Sequence, residues 1–212
     1  YAYNGTPTNV TYENGRFNEA ANFNGSSSKL IVSGFAQPTG DVSVSMWIKF
    51  NSISSAQKEF FDWVGNSSVP TIRINTYDGN DLRFNIGSGQ RYISADSLSI
   101  TTGVWYHIAC SLDRSANAAT LYFNGQALGS TITISGSSAD TEKISIGCNH
   151  DENRFSDCKI DQIRIYDAAL TSSQVTDLYN EHYQTKFTDG SDTAIVFTEG
   201  TGTVTFSGVD PA

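Results

Sequence analysis

The amino-acid sequence predicts an all-β sandwich of two antiparallel sheets with one short helix near the C-terminal end. Three observations lead there. Apolar and polar residues alternate in short runs, Gly, Asn, Asp and Ser separate those runs, and a single later segment carries helix-start chemistry.

The run Lys29–Val32 reads as a strand, and Val42–Phe50 is the most regular in the chain. Its even positions, Val42, Val44, Met46, Ile48 and Phe50, are apolar, while Ser43, Ser45 and Lys49 alternate with them. That period of two predicts one packed face and one wetter face. Further strands are expected at Thr71–Asn75, Leu82–Ile86, Val104–Leu112, Thr120–Phe123, Ile144–Ile146 and Ile160–Ile165. Asp78-Gly79 and Asn124-Gly125 follow strands, and such pairs tolerate the positive φ that a hairpin turn needs. Next comes the helix signal. Thr171 can cap it, Gln174 completes a capping box, and Leu170 with Val175 forms a hydrophobic staple, so a helix is expected to about Tyr183. Two β-rich runs follow, Ala194–Phe197 and Val204–Phe206, which predict a separate hairpin or the start of another module. The expected division is therefore a sandwich over 1–184 and an extension or connector over 185–212.

Composition narrows the function. The 212 residues are 38% hydrophobic and 12% aromatic, enough to bury a sizeable core, and the length suits one large β domain. The net charge is -9 with no stripe of Lys or Arg, so nucleic acid is not an expected partner. No apolar stretch approaches the length of a membrane span, so membrane insertion is not expected either. The chain starts at Tyr1 rather than Met, which reads as a processed chain or a piece of a longer one. Of three cysteines, Cys148 and Cys158 enclose a polar loop and could form a disulfide, while Cys110 sits in an apolar run; three reduced thiols read equally well.

Several segments carry a family resemblance by their order. The opening run from Gly15 to Gly25 has the form G-x-F-x-x-A-x-x-F-x-G. Val44-Ser45-Met46-Trp47-Ile48, Trp105-Tyr106-His107-Ile108-Ala109 and Leu121-Tyr122-Phe123-Asn124-Gly125 follow, and Ile160-Asp161-Gln162-Ile163-Arg164-Ile165-Tyr166-Asp167 leads into the helix. Together they resemble the laminin-G-like domains of the concanavalin A-like lectin and glucanase superfamily, and more distantly the pentraxins. The resemblance implies a jelly roll of two curved sheets with binding loops on one rim. It leaves function open, because the fold hosts hydrolases, lectins and adhesion modules.

Catalytic patterns are missing. Glucanases of this superfamily need carboxylates at alternating positions of one strand. Glu13, Glu19, Glu59, Glu142, Glu152, Glu181 and Glu199 are scattered, and in Glu59-Phe60-Phe61-Asp62 simple alternation puts the two acids on opposite faces. There is no Gly-x-Ser-x-Gly elbow, and His107, His150 and His182 lack partners for nucleophilic chemistry; His107 reads as a structural group at a sheet edge. The chain is not expected to be an enzyme.

Three groups of residues could bind. The loop Asn149, His150, Asp151, Glu152, Asn153 and Arg154 is the densest set of oxygen donors in the chain. Similarity to pentraxins implies calcium there with Asp151 as a ligand, although Cys148, Asn149 and His150 depart from that pattern. A solvated loop closed by Cys148 and Cys158 is the competing reading. The superfamily implies a second calcium site in which Asp161 is joined by oxygens from Asn22 and Gly25; Asp161 could instead cap backbone amides. Arg73, Asn75 and Tyr77 share one strand face, as do Arg83 and Asn85 in the next. Forked donors, amides and rings of this kind read sugar hydroxyls and carboxylates, and a solvated face has the same composition. The expected function is a non-catalytic glycan-binding or adhesion domain, outside the cell, on a cell surface or on a virion fibre. Its partners would be a glycan or cell-surface receptor and other subunits of an assembly, with a structural assembly domain as the alternative.

Overall fold

The computed structural model describes residues 5–36, 39–53, 56–64, 70–77, 81–87, 89–94, 97–134, 141–181, 184–189 and 192–197. The strands are β1 (Thr6–Thr8), β2 (Thr11–Asn14), β3 (Glu19–Asn24), β4 (Lys29–Ala36), β5 (Val42–Phe50) and β6 (Lys58–Val64). They continue with β7 (Pro70–Tyr77), β8 (Asp81–Ile86), β9 (Gly89–Ser94), β10 (Trp105–Asp113), β11 (Ala118–Phe123) and β12 (Gln126–Ala127). After β13 (Ile132–Thr133), β14 (Thr141–Ile146) and β15 (Asp157–Tyr166) come helix α1 (Ser172–Tyr179) and strands β16 (Gln184–Asp189) and β17 (Asp192–Phe197).

Two sheets form the sandwich. One has seven strands in the order β1-β4-β14-β6-β7-β8-β9, and the other runs β12-β11-β10-β5-β15-β3-β2 with β13 paired to β11. Every strand pair is antiparallel, the arrangement predicted from the alternation. The core lies between the sheets, where Phe23, Met46, Ile48, Phe50, Phe61, Trp63, Ile72, Ile74 and Phe84 are all fully buried. Burial of such side chains contributes about 1.5–3 kcal/mol each. Gly147, at φ +79°, closes one edge of this core: a Cβ there would run into the Phe23 ring.

The chain divides into two compact units, 1–179 and 180–212. In the second, β16 pairs with β17 alone, so Ala194–Phe197 does lie in a hairpin. Its partner is Gln184–Asp189; Val204–Phe206 falls outside the described residues.

The structure amends four other expectations. The wetter face of Val42–Phe50 is buried, because Ser43 binds the segment before the helix through Ala168 O at 2.8 Å and Leu170 N at 3.0 Å. The helix stops at Tyr179, a turn earlier than its cap signal suggested. His107 is interior rather than at an edge, since β10 lies between β5 and β11. The possible clasp of Cys148 and Cys158 is not formed, and the alternative reading holds: Cys110, Cys148 and Cys158 are free, buried thiols. Cys158 belongs to the core cluster on the eight-stranded sheet, whereas Cys148 stands just beyond β14, beside charged Lys29, Lys143 and Glu152. Burial pushes the thiol of Cys110 up to about 12 and that of Cys148 up to about 11.

Candidate functional site

The seven-stranded sheet turns an unusual face away from the core. Cross-strand register sets one row of side chains there, Ser145 opposite Asp62, Asp62 opposite Arg73 and Arg73 opposite Asn85. The neighbouring row places Glu59 opposite Asn75 and Asn75 opposite Arg83. Directly opposed residues of antiparallel strands share a face, so Glu59 and Asp62 stand on the same side. Sequence alternation had them on opposite sides. The cause is a β-bulge in β6 between Glu59 and Phe61, where one extra residue shifts the alternation and lets Phe60 and Phe61 both enter the core.

Contacts knit the two rows together. Arg73 forks onto Asp62, Nε to Oδ1 at 2.8 Å and Nη2 to Oδ2 at 3.1 Å. Asn75 donates to Glu59 Oε1 at 3.1 Å and accepts from Arg83 Nε at 3.1 Å. The Arg83 guanidinium lies 4.3 Å from the ring centre of Tyr77, which is 37% exposed. The sequence-predicted patch of Arg73, Tyr77 and Arg83 is thus one surface. Burial raises the Glu59 carboxyl above its ordinary value, helped by the charge of Asp62 and opposed by Asn75, Arg154 and Arg73.

The loop after β14 folds over this same face. Ser156 N donates to Gly147 O at 2.9 Å and closes the loop's neck. Asn149, buried, organises the interior by accepting from the amides of Asn153 at 2.8 Å and Arg154 at 3.1 Å. His150 N donates to Asp62 Oδ2 at 2.8 Å. Glu59 is bound from three directions: its amide donates to Arg154 O at 3.2 Å, Ser156 Oγ donates to its carbonyl, and Arg154 Nη1 reaches Oε1 at 3.4 Å. Glu152 bridges Lys143, at 2.7 Å, and Lys29, and those two ammonium groups, Lys143 foremost, hold its carboxyl down at about 2. Asp151 and Asn153 face solvent. The two candidate binding groups therefore meet, and sequence reading missed the two residues that join them: Asp62, between Arg73 and His150, and Glu59, between Asn75 and Arg154. Only the bulge would have signalled their shared face.

The residues implied for calcium each have protein partners of their own. Asp161 Oδ2 accepts from Phe17 N at 2.8 Å, and it approaches the first turn so closely that a Cβ at Gly15 would stand 2.6 Å away. Asn22 donates to Thr11 and Glu13 and accepts from Asn51, while the amide of Gly25 goes to Ser156 O. Asp151 lies on the opposite sheet's loop. Among the described residues there is no group of three or more His, Cys, Asp or Glu side chains that could hold a metal. Asp161 does hold a backbone amide, though that of distant Phe17 rather than a local one. His182 falls outside the described residues.

Solved structures with the same fold include binding modules. Domain 4 of AbnA, a GH43 extracellular arabinanase from Geobacillus stearothermophilus in complex with arabinotriose, is 28% identical; 81% of this chain and 82% of that one align, with a TM-score of 0.57. A native heptameric SAP-like pentraxin from Limulus polyphemus is 18% identical over 74% of this chain and 80% of its own, with a TM-score of 0.59. The binding domain of Paraclostridial Mosquitocidal Protein 1 is 22% identical with a TM-score of 0.65; 84% of this chain aligns but spans only 47% of that protein chain. Comparison with curated proteins finds no match. Among the described residues, no helix is long and apolar enough to cross a membrane. A family model described as the concanavalin A-like lectin/glucanases superfamily, Laminin_G_3, matches residues 24–176. With the jelly-roll sandwich, the capping helix and this match over most of its length, the chain belongs to the Laminin_G_3 family of that superfamily.

Proposed function

We propose that this chain is a non-catalytic carbohydrate-binding domain of a larger extracellular, cell-surface or virion protein. The observation that carries the reading is the joined surface of Arg73, Tyr77, Arg83 and the loop Asn149–Arg154, a polar face of arginines held in place by neighbouring acids and amides beside a partly exposed ring. The likeness to an arabinanase domain solved with arabinotriose supports it. Glu59 and Asp62 share a face, but Asp62 is buried and accepts hydrogen bonds from Arg73 and His150 N on its two oxygens, which supports a structural role for it over that of nucleophile or base.

The test is a glycan array followed by titration calorimetry with arabinotriose as first probe, each with and without a chelator. Binding to at least one glycan is expected. Silence across the array rejects the reading, and loss of binding in chelator would assign calcium a part in it. The separate unit 180–212 favours a second reading, an assembly domain with a C-terminal connector. A higher oligomer in light scattering that is lost on deleting 185–212 would select it.

A further inference from the structure

Buried polar atoms without partners collect on the face just described. Glu59 Oε2, Asn85 Oδ1, Ser145 Oγ and His150 Nδ1 are all closed to solvent and make no hydrogen bond. Ser145 and Asn85 flank Asp62 and Arg73 in one row, and Glu59 lies in the adjacent row. His150 is tied to Asp62 by its own amide. Native proteins leave few such atoms without a partner, so several on one surface call for hydrogen bonds from ordered water or from a ligand that replaces it.

The chemistry of these atoms restricts what that is. Asn85 Oδ1 only accepts, Ser145 Oγ donates and accepts, and an imidazole nitrogen does one or the other by tautomer. Glu59 gathers all its donors on one oxygen, Oε1, from Gln57 at 2.9 Å, Asn75 at 3.1 Å and Arg154 at 3.4 Å. Its Oε2 is left as the open end. A ligand that both gives and takes hydrogen bonds at several points across four neighbouring strands satisfies this set, and the hydroxyl groups of an oligosaccharide do that. A carboxylate or sulfate can only accept, and it would meet the Asn85 oxygen and the Glu59 and Asp62 carboxyls. The cations that would otherwise attract it are engaged: Arg73 by Asp62, Arg83 by Asn75 and Tyr77, and Arg154 by Glu59.

We propose that the outer face of β6, β7, β8 and β14 binds a neutral polyhydroxylated sugar through Glu59, Asn85, Ser145 and His150, and selects against acidic sugars. This rests on the glycan-binding reading and adds the location and the ligand class. At Glu59 the contact to be displaced is Arg154, whose side chain is 43% exposed and whose contact with Oε1 is the longest at that atom; Ser145 and Asn85 are buried as well, so the surface around them must open as the sugar seats.

The experiment titrates the full chain with arabinotriose and other neutral oligosaccharides bound on the array, and in parallel with sialyllactose and oligogalacturonate. Ser145→Ala and Asn85→Ala are measured beside the wild type, with thermal melting of each. The neutral sugars are expected to bind at least about tenfold more tightly than the acidic ones, and each variant to lose about tenfold in affinity. Because each substitution removes a buried unpaired atom, the Ser145→Ala melting temperature should not fall, which separates ligand contact from structural damage. Preference for acidic sugars, or neutral binding unchanged in both variants, overturns the inference while leaving glycan binding standing. If no sugar binds, both fall.

Discussion

The two sheets finish their outer faces in different ways. On the eight-stranded sheet the chain supplies its own cover: Val175 of α1 packs on Ala109 and Tyr122, and the Trp47 ring stacks on Tyr179 at 5.6 Å with His107 alongside. The Arg16 guanidinium lies 4.9 Å from the Trp47 ring and seals the remaining side. Here small polar residues point at known partners, Ser45 at His107, Ser111 at Leu170 O. On the seven-stranded sheet, among the described residues, one loop covers one flank, and the residues on that face are Glu, Asp, Arg and Asn, some with atoms still unpaired. One face is closed by folding, while the other keeps unpaired polar groups, and the proposed sugar site lies on the second.

Breaking the closed face should have the largest effect on stability. Trp47→Ala deletes the centre of the aromatic stack and should cost about 4 kcal/mol, read from urea unfolding, since buried Trp truncations fall in that range. The surviving folded protein should keep its glycan affinity, because Trp47 faces the other side. Loss of affinity in the folded fraction would show that the two faces are coupled.

Arg73→Ala comes next. It strands the buried Asp62 carboxylate without its forked partner, and about 3 kcal/mol of stability should go with it. Unlike Trp47→Ala it should also weaken sugar binding, so a variant that loses only stability would move the site elsewhere.

Smaller effects come from the acids under the loop, and they run in opposite directions with pH. Glu59 has a raised carboxyl, so its favourable contribution is complete below the unfolded value of about 4.5 and declines as pH rises through the folded value. Glu59→Gln should remove that decline, giving a flatter melting temperature on the neutral side. Glu152 is the reverse. Its contribution is present above 4.5 and disappears as pH falls through about 2, so the gap between wild type and Glu152→Gln should close on acidification. Its exposure to solvent keeps that gap small. Equal melting temperatures at every pH would remove the Lys29–Glu152–Lys143 bridge from the account of how the loop is held.

The fold was legible because it depends on local pattern. Val42–Phe50 is a strand with the predicted bounds, and Asn124 and Gly125 both take the positive φ, 49° and 77°, that their hairpin requires. The candidate site was half legible. Alternation put Arg73, Asn75 and Tyr77 on one face and Arg83 with Asn85 on one face, and register joined them. What sequence could not show was the inserted residue at Phe60, since a bulge depends on how two neighbouring strands fit and leaves no composition signal. Without it Glu59 appeared to face away from Asp62. Asp161 was singled out for its carboxylate, but its partner, the amide of Phe17, lies 144 residues away and carries no side-chain signature.

The position of β15 has a consequence for the order in which the molecule assembles. This is the last strand of the sandwich to leave the ribosome, yet it sits in the middle of its sheet, between β5 and β3. Until it arrives, both neighbours present an unpaired edge, and the first turn lacks the Asp161 that fixes it. Synthesis therefore yields a split sheet whose inner edges can pair with other chains, and completion waits on contacts between the most distant segments. Slow folding and loss to aggregation at high expression are expected of this chain. Truncations that end before Tyr166 should be insoluble, while those that remove only 180–212 should leave the sandwich intact.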